Sequence, residues 1–257
     1  MKNIIFIEGV SGVGKSTMVR MLSDELRSQG YNVKSYLEFD YTNPIDFYAV
    51  AYFNSDEYEN FCNKYISSID SIIKNTIIAG DKRLVHYYNE DTPLFDEEIL
   101  SEMYVREFCY NPTNVIPINE YTEAYKSVWK NFALNIDNDF DYVIFDGSLL
   151  HHPINDMMRN YGILGEQAVY HIRALLEALG TAKRQIFYMY TNDIEKQLSK
   201  AYSDRGQGAP SLEDINFWKT RYNNDIMVIN YINEDIKMLD ISDVGWENAR
   251  KKIMSSI

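Results

Sequence analysis

Cysteine is scarce in this chain. Its 257 residues include two, Cys62 and Cys109, with no Cys-x-x-Cys pair and no Cys/His cluster. Neither a disulfide framework nor a structural zinc site is supported, and a reduced, cytoplasmic setting is expected. Basic residues are outnumbered: 25 Lys and Arg stand against 38 Asp and Glu, a formal net charge of −13. A surface that negative repels a phosphate backbone, which argues against a nucleic-acid partner. Long apolar runs are missing as well. None approaches the roughly 20 residues that span a bilayer. The N-terminal run, residues 4–7, is cut short by Glu8 and is no signal peptide, so no membrane partner is expected. Internal repeats, low-complexity tracts and long linkers are absent too.

What is present suffices for a packed core, since 46% of the residues are hydrophobic and the length suggests one or two domains. The most specific stretch is Glu8-Gly-Val-Ser-Gly-Val-Gly-Lys-Ser-Thr17, directly after the apolar run. It fits G-x-x-x-x-G-K-[ST], with Gly9, Gly14, Lys15 and Ser16 at the fixed positions and Gly12 and Thr17 completing the loop. Glycines let several backbone N–H groups turn toward one anion, and the following helix adds its positive end. Lys15 would reach the β- and γ-phosphates and the Ser16 hydroxyl would ligate Mg2+, so ATP and Mg2+ are the expected cofactors. The spacing of Met18, Met21, Leu22, Glu25 and Leu26 predicts a helix over 16–29, stopped by Gly30.

Short β-rich runs separated by helical patterns predict an α/β fold with a five-stranded parallel sheet flanked by helices. The strands are expected at 3–8, 32–37, 142–146, 185–190 and 236–241. Between the second and third lies an insertion, residues 45–138, far longer than an ordinary crossover. It is expected to form a helical substrate-binding cap on a core of residues 1–44 and 139–257. Tyr58, Phe61, Cys62, Tyr65, Ile69, Ile72, Ile73 and Thr76 mark one face of a long helix ended by Gly80, and further helices are expected at 96–108 and 119–134. The 21 tyrosines are read as amphipathic packing rather than a base-stacking platform. The third strand ends in Asp146, where an acid beside a phosphate loop holds Mg2+ directly or through water, at the sheet end where open α/β sheets bind ligands.

The stretch IEGVSGVGKST resembles the opening of thymidylate kinases and deoxynucleoside kinases, and the order of strands, insertion, acid-ended strand and basic lid is similar. The resemblance implies a P-loop NTPase fold and phosphoryl transfer from Mg2+-ATP to a small molecule, with a nucleoside or nucleotide as acceptor. It places Glu38 where deoxynucleoside kinases hold the carboxylate that accepts a proton from the substrate hydroxyl. It also places Arg205 in the lid, closing over the transferred phosphoryl group, with Lys200 and Arg221 behind it. The family pattern follows the third-strand acid with arginine; Gly147 stands there in this chain, and Arg159 is a candidate replacement. Arg106 on the insertion is a candidate acceptor-binding cation. His151 and His152 lie near the site by topology, but adjacent histidines seldom ligate one metal, and both are read as solvated loop residues. His86 and His171 are read as ordinary positions. Three matters stay open on this reading: another small alcohol as acceptor, an antibiotic included; a nucleotide-binding regulatory ATPase acting on a protein partner; and the oligomeric state, a homodimer included.

Overall fold

Alternation within the first strand sorts the molecule into layers. In a computed structural model, residues 3–136, 140–242 and 245–257 are described. The chain runs β1 (Asn3–Gly9), α1 (Lys15–Ser28) and β2 (Val33–Tyr36), then β3 (Val50–Phe53), α2 (Ser55–Lys64), α3 (Ile69–Lys74), β4 (Thr76–Ala79), β5 (Lys82–His86), β6 (Tyr88–Asn89) and β7 (Thr92–Pro93). It continues through α4 (Glu97–Tyr104), α5 (Ile118–Asn135), β8 (Tyr142–Asp146), α6 (His151–Asn160), α7 (Glu166–Ala178), β9 (Arg184–Tyr190), α8 (Ile194–Asp204), α9 (Leu212–Tyr231), β10 (Ile236–Asp240) and α10 (Gly245–Met254). Five parallel strands form one sheet in the order β10-β9-β1-β8-β2, so the strand that leads into the phosphate loop is central. This is the P-loop NTPase fold, and the five expected strands are all present.

Ile5 and Ile7 point to one face, where Met18, Val19, Leu22 and Leu26 of α1 and Ala249 and Ile253 of α10 cover them. Ile4 and Phe6 point to the other, under Tyr125, Trp129, Ile172, Leu175 and Val228 of α5, α7 and α9. Both faces are therefore buried, which is why β1 and β8 read as continuous apolar runs. The Trp129 ring lies parallel to that of Phe6, with centroids 5.7 Å apart, and its Nε1 donates to the Ile45 carbonyl at 2.9 Å.

The expectation of a helical insertion is corrected. Residues 50–86 hold a three-stranded antiparallel sheet in the order β3-β5-β4, and β6 and β7 form a small hairpin beside it. The long helix foreseen up to Gly80 stops at Lys64, resumes at Ile69 and gives way to a strand at Thr76. The physical reason is local. Thr76-Ile77-Ile78 is a β-branched run, and Gly80, at φ 65°, opens a two-residue connection pairing Ala79 with Lys82. Gly80 thus turns a hairpin rather than ending a helix. The helix expected at 96–108 is shorter, Glu97–Tyr104, and the one at 119–134 is found as Ile118–Asn135. The insertion boundary expected at 138/139 lies outside the described residues.

Candidate active site

Between β1 and α1 the phosphate loop is built by close approach. Gly9 has φ 139°, and a Cβ there would collide with the Met189 carbonyl of β9. Gly14 has φ 89°, and a Cβ would fall 2.5 Å from Trp246 Nε1. Trp246 Nε1 donates to the Val13 carbonyl at 3.1 Å, and Gln197 Nε2 donates to that of Gly12 at 2.7 Å. Lys15, buried, donates to the Val10 carbonyl at 3.2 Å, so its ammonium sits inside the loop. The cavity over the loop, about 210 Å3, is lined by Gly12, Gly14, Lys15, Ser16 and Thr17 together with Glu38, Lys200 and Arg205. Gly9 lies beneath it, against β9.

Ser16 and Asp146, 130 residues apart in sequence, meet here: Ser16 Oγ donates to Asp146 Oδ2 at 2.5 Å. Asp146 Oδ1 is buried without a partner. A hydroxyl and an orphaned carboxylate oxygen at the foot of a phosphate cradle fit Mg2+, a hard cation that takes oxygen ligands. The Glu38 backbone N–H, two residues past β2, donates to the same Asp146 oxygen at 3.5 Å, so the ends of β2 and β8 converge at one spot.

Glu8, the last side chain of β1, does work that its place in the motif does not announce. Its fully buried carboxylate accepts from the backbone N–H groups of Leu149, Leu150 and His151 at 2.9, 3.1 and 2.9 Å. It thereby caps the start of α6, where a negative group is favoured. Burial pushes its carboxyl up to about 7, against those three donors and Lys15, which pull it down. From the other side, Arg221 donates to the carbonyls of His151 and Leu150 at 3.0 and 2.9 Å and pairs with Asp225 at 2.7 Å. Arg221 is fully buried and holds α6; it is not a lid cation. Lys200 and Arg205 at the end of α8 are exposed and do face the cavity.

His151 and His152 are buried, contrary to the expectation of solvated loop residues. His151 stacks on Trp218, rings parallel with centroids 5.7 Å apart. His152 Nδ1 hydrogen-bonds to Asp46 Oδ2, and its Nε2 lies 3.7 Å from Glu38 Oε1. Burial lowers the affinity of His152 for a proton, but the carboxylates of Asp46 and Glu38 outweigh it and raise the imidazole to about 10. For Glu38, burial acts upward, while the His152 hydrogen bond and the charges of Lys15, His152 and Arg205 hold the carboxyl at about 2. Asp46 is itself fixed: its Oδ1 accepts from Phe47 N at 2.9 Å, and Ser148 Oγ donates to its Oδ2 at 3.5 Å. Gly147 can carry no arginine, because a Cβ there would meet His151 Cβ at 2.9 Å and Lys15 Cε at 3.3 Å. His152, with Lys15 and Arg205, places positive charge beside Glu38.

Behind this array opens a second cavity of about 400 Å3, lined by Tyr41, Phe47, Tyr48, Tyr87, Tyr88, Tyr104 and Tyr110 with Asp91 and Glu107. Tyr48, on the wall of this cavity, lies edge-on to His152 at 5.7 Å and against Phe39 at 4.7 Å. Tyr110 donates from its hydroxyl to the His152 carbonyl at 3.3 Å. Tyrosine is thus concentrated around one hole, in addition to packing the core. Burial raises Glu107 to about 8, against a hydrogen bond from Val50 N–H that lowers it. The remaining candidates stand elsewhere. Arg106 lies over the Phe53 ring and donates to the Glu102 carbonyl at 3.0 Å, and Arg159 covers Phe217 at 4.1 Å on the exposed end of α6. His86 ends β5, and His171 is a buried residue bonded to Thr122 at 2.9 Å.

Sequence reasoning missed Asp46, Tyr48, Trp246 and the capping role of Glu8. Only Glu8 carried a signal, an acid inside an otherwise apolar strand. No protein-family model matches the chain, and no curated protein matches it. Among solved structures it is similar to the YorR protein from Bacillus subtilis in complex with phosphorylated GDP, at 15% identity and a TM-score of 0.45, with 98% of this chain and 94% of that one covered. It is also similar to thymidylate kinase from Candida albicans, at 14% identity and a TM-score of 0.49, with 100% and 91% covered. Likeness at that level is one of chain course. The P-loop fold rests on the strand order and the phosphate loop themselves.

Proposed function

We propose that this protein is a small-molecule kinase that transfers the terminal phosphoryl group of ATP to a hydroxyl of a nucleoside. The observation that carries the reading is the position of Glu38. It lines the phosphate cavity, and through His152 and Tyr48 it adjoins the aromatic one.

In this reading the loop amides and Lys15 hold the phosphates of the donor. Ser16 and Asp146 hold Mg2+, which when bound neutralises charge on the phosphate oxygens. Lys200 and Arg205 close over the phosphoryl group and offset the charge that develops as it transfers. The aromatic cavity takes the acceptor's planar base between tyrosine rings. Among the described residues its lining includes Asp91 and Glu107 and no lysine or arginine, which suits a neutral nucleoside better than an acceptor that already carries phosphate. Glu107, holding a proton at neutral pH, can donate a hydrogen bond to the base edge. Glu38 is ionised and accepts the hydrogen bond of the acceptor hydroxyl. At about 2 it is a weak base, so its main contribution is to orient the oxygen, and the proton passes to it only as the O–P bond forms.

The test is direct. The protein is incubated with Mg2+-ATP and a pool of nucleosides, nucleotides and small alcohols, and mass spectrometry finds the compound that gains one phosphate. A nucleoside is expected. With that acceptor, Glu38→Gln is expected to lower kcat about 10²-fold while leaving ATP affinity in place. A loss of under about threefold would return Glu38 to a strand-end acid. ATP hydrolysis that ignores both the pool and the Glu38 change would instead mark a nucleotide-driven regulatory ATPase.

A further inference from the structure

Two imidazoles and a carboxylate converge at the start of α6. One ring nitrogen from each of His151 and His152 and a carboxylate oxygen of Glu38 lie within 4.8 Å of one another, the one such group among the described residues. Both histidines are buried, each 4% exposed. His151 Nδ1 has no hydrogen-bond partner, and His152 Nε2 has only the Glu38 carboxylate 3.7 Å away, beyond hydrogen-bond distance, a costly condition for buried polar atoms and one that calls for an occupant. The rings are also held in place. Asp46 engages Nδ1 of His152 and leaves Nε2 toward Glu38, the arrangement in which an outer carboxylate orients a metal-bound imidazole. Trp218 fixes the plane of His151 by stacking.

We propose that Glu38, His151 and His152 form a binding site for a transition-metal dication of the zinc class, with Asp46 as the outer carboxylate, separate from the Ser16 and Asp146 pair. Two nitrogens and one oxygen suit Zn2+, which binds imidazole at about 2.0–2.1 Å and keeps a fourth position for water or a substrate oxygen. Mg2+, which demands oxygen ligands in an octahedron, does not fit this set. Closing donors spaced up to 4.8 Å around an ion needs one of them to move. Glu38 can, because its side chain is 32% exposed. Metal binding here does not depend on the kinase reading. If both hold, an ion on Glu38 withdraws that carboxylate from the acceptor hydroxyl.

The experiment titrates chelator-stripped full-length protein with Zn2+ by calorimetry, with Co2+ as an optical probe of the ligand field. One Zn2+ per chain is expected, undisturbed by excess Mg2+. His152→Ala, Glu38→Gln and Asp46→Asn are each expected to weaken it by about tenfold or more, while Asp146→Asn and Cys62→Ser leave it within about threefold. Circular dichroism reports whether the buried His152→Ala variant folds; Glu38→Gln, at a partly exposed position, keeps the test decisive if it does not. Absence of Zn2+ binding overturns the proposal. So does binding that neither Glu38→Gln nor Asp46→Asn weakens, or that Asp146→Asn alone abolishes, which would put the ion on the phosphate side.

Discussion

The phosphate cavity that Glu38 lines and the aromatic cavity beyond His152 and Tyr48 are made by opposite means. The phosphate cavity is mostly backbone: ten consecutive residues, three of them glycines that cannot carry a Cβ, wrap one buried ammonium, and exposed Lys200 and Arg205 complete the rim. The aromatic cavity is nearly all side chain, assembled from the loop after β2, the β6–β7 hairpin and the residue before it, α4 and the loop after it. Recognition of phosphate asks for many N–H groups at one radius, which only a fixed backbone provides. Recognition of a planar ring asks for flat surfaces, which any element can supply. The first solution is rigid in sequence; the second is free to vary.

Three experiments probe that contrast. Lys15→Ala removes the one charge inside the loop and is expected to lower turnover about 10²- to 10³-fold with little change in melting temperature; unaltered steady-state rates would detach the loop from the chemistry. Tyr48→Ala strips a ring from the cavity wall, and the acceptor KM is expected to rise about tenfold, since stacking on one aromatic contributes about 1–3 kcal/mol. The ATP KM should hold, and a parallel rise in both constants would mean that the cavities are not separate. The smallest effect concerns acid. His171, buried behind the tyrosines of α5 and 5.4 Å from the Tyr121 and Tyr125 rings, is held by burial at about 3 instead of 6.5. Between those values the unfolded chain binds the extra proton, so stability falls as pH drops through that window, by at most about 1.4 kcal/mol per pH unit. Urea midpoints for wild type and His171→Gln test this. The variant should lose part of the slope, and identical slopes would acquit the histidine.

What could be read in advance follows the same division. The strands and the Lys15, Ser16 and Asp146 constellation are legible because a buried parallel strand is an uninterrupted apolar run and a phosphate loop is one contiguous string. Glu38 was placed by resemblance, and the structure sets it on the wall of the phosphate cavity. The His152–Asp46 pair beside Glu38 was not legible: its members are 106 residues apart, and nothing local tells a buried imidazole from a solvated one. The β-sheet within the insertion was hidden by a period that continues across Tyr65, Ile69 and Ile72 whether or not the helix does. Arg221 looked like a lid residue because it follows the lid in sequence, but on α9 it is Asp225, one turn on, that accounts for its burial.

The clamps on the phosphate loop make its shape a property of distant parts of the chain. Gln197 and Trp246 reach back across 185 and 233 residues to bond the carbonyls of Gly12 and Val13. The loop's shape is thus borrowed from α8 and α10, elements remote from it in sequence. Truncation after β10 removes Trp246 and should leave the sheet with a loosely held loop.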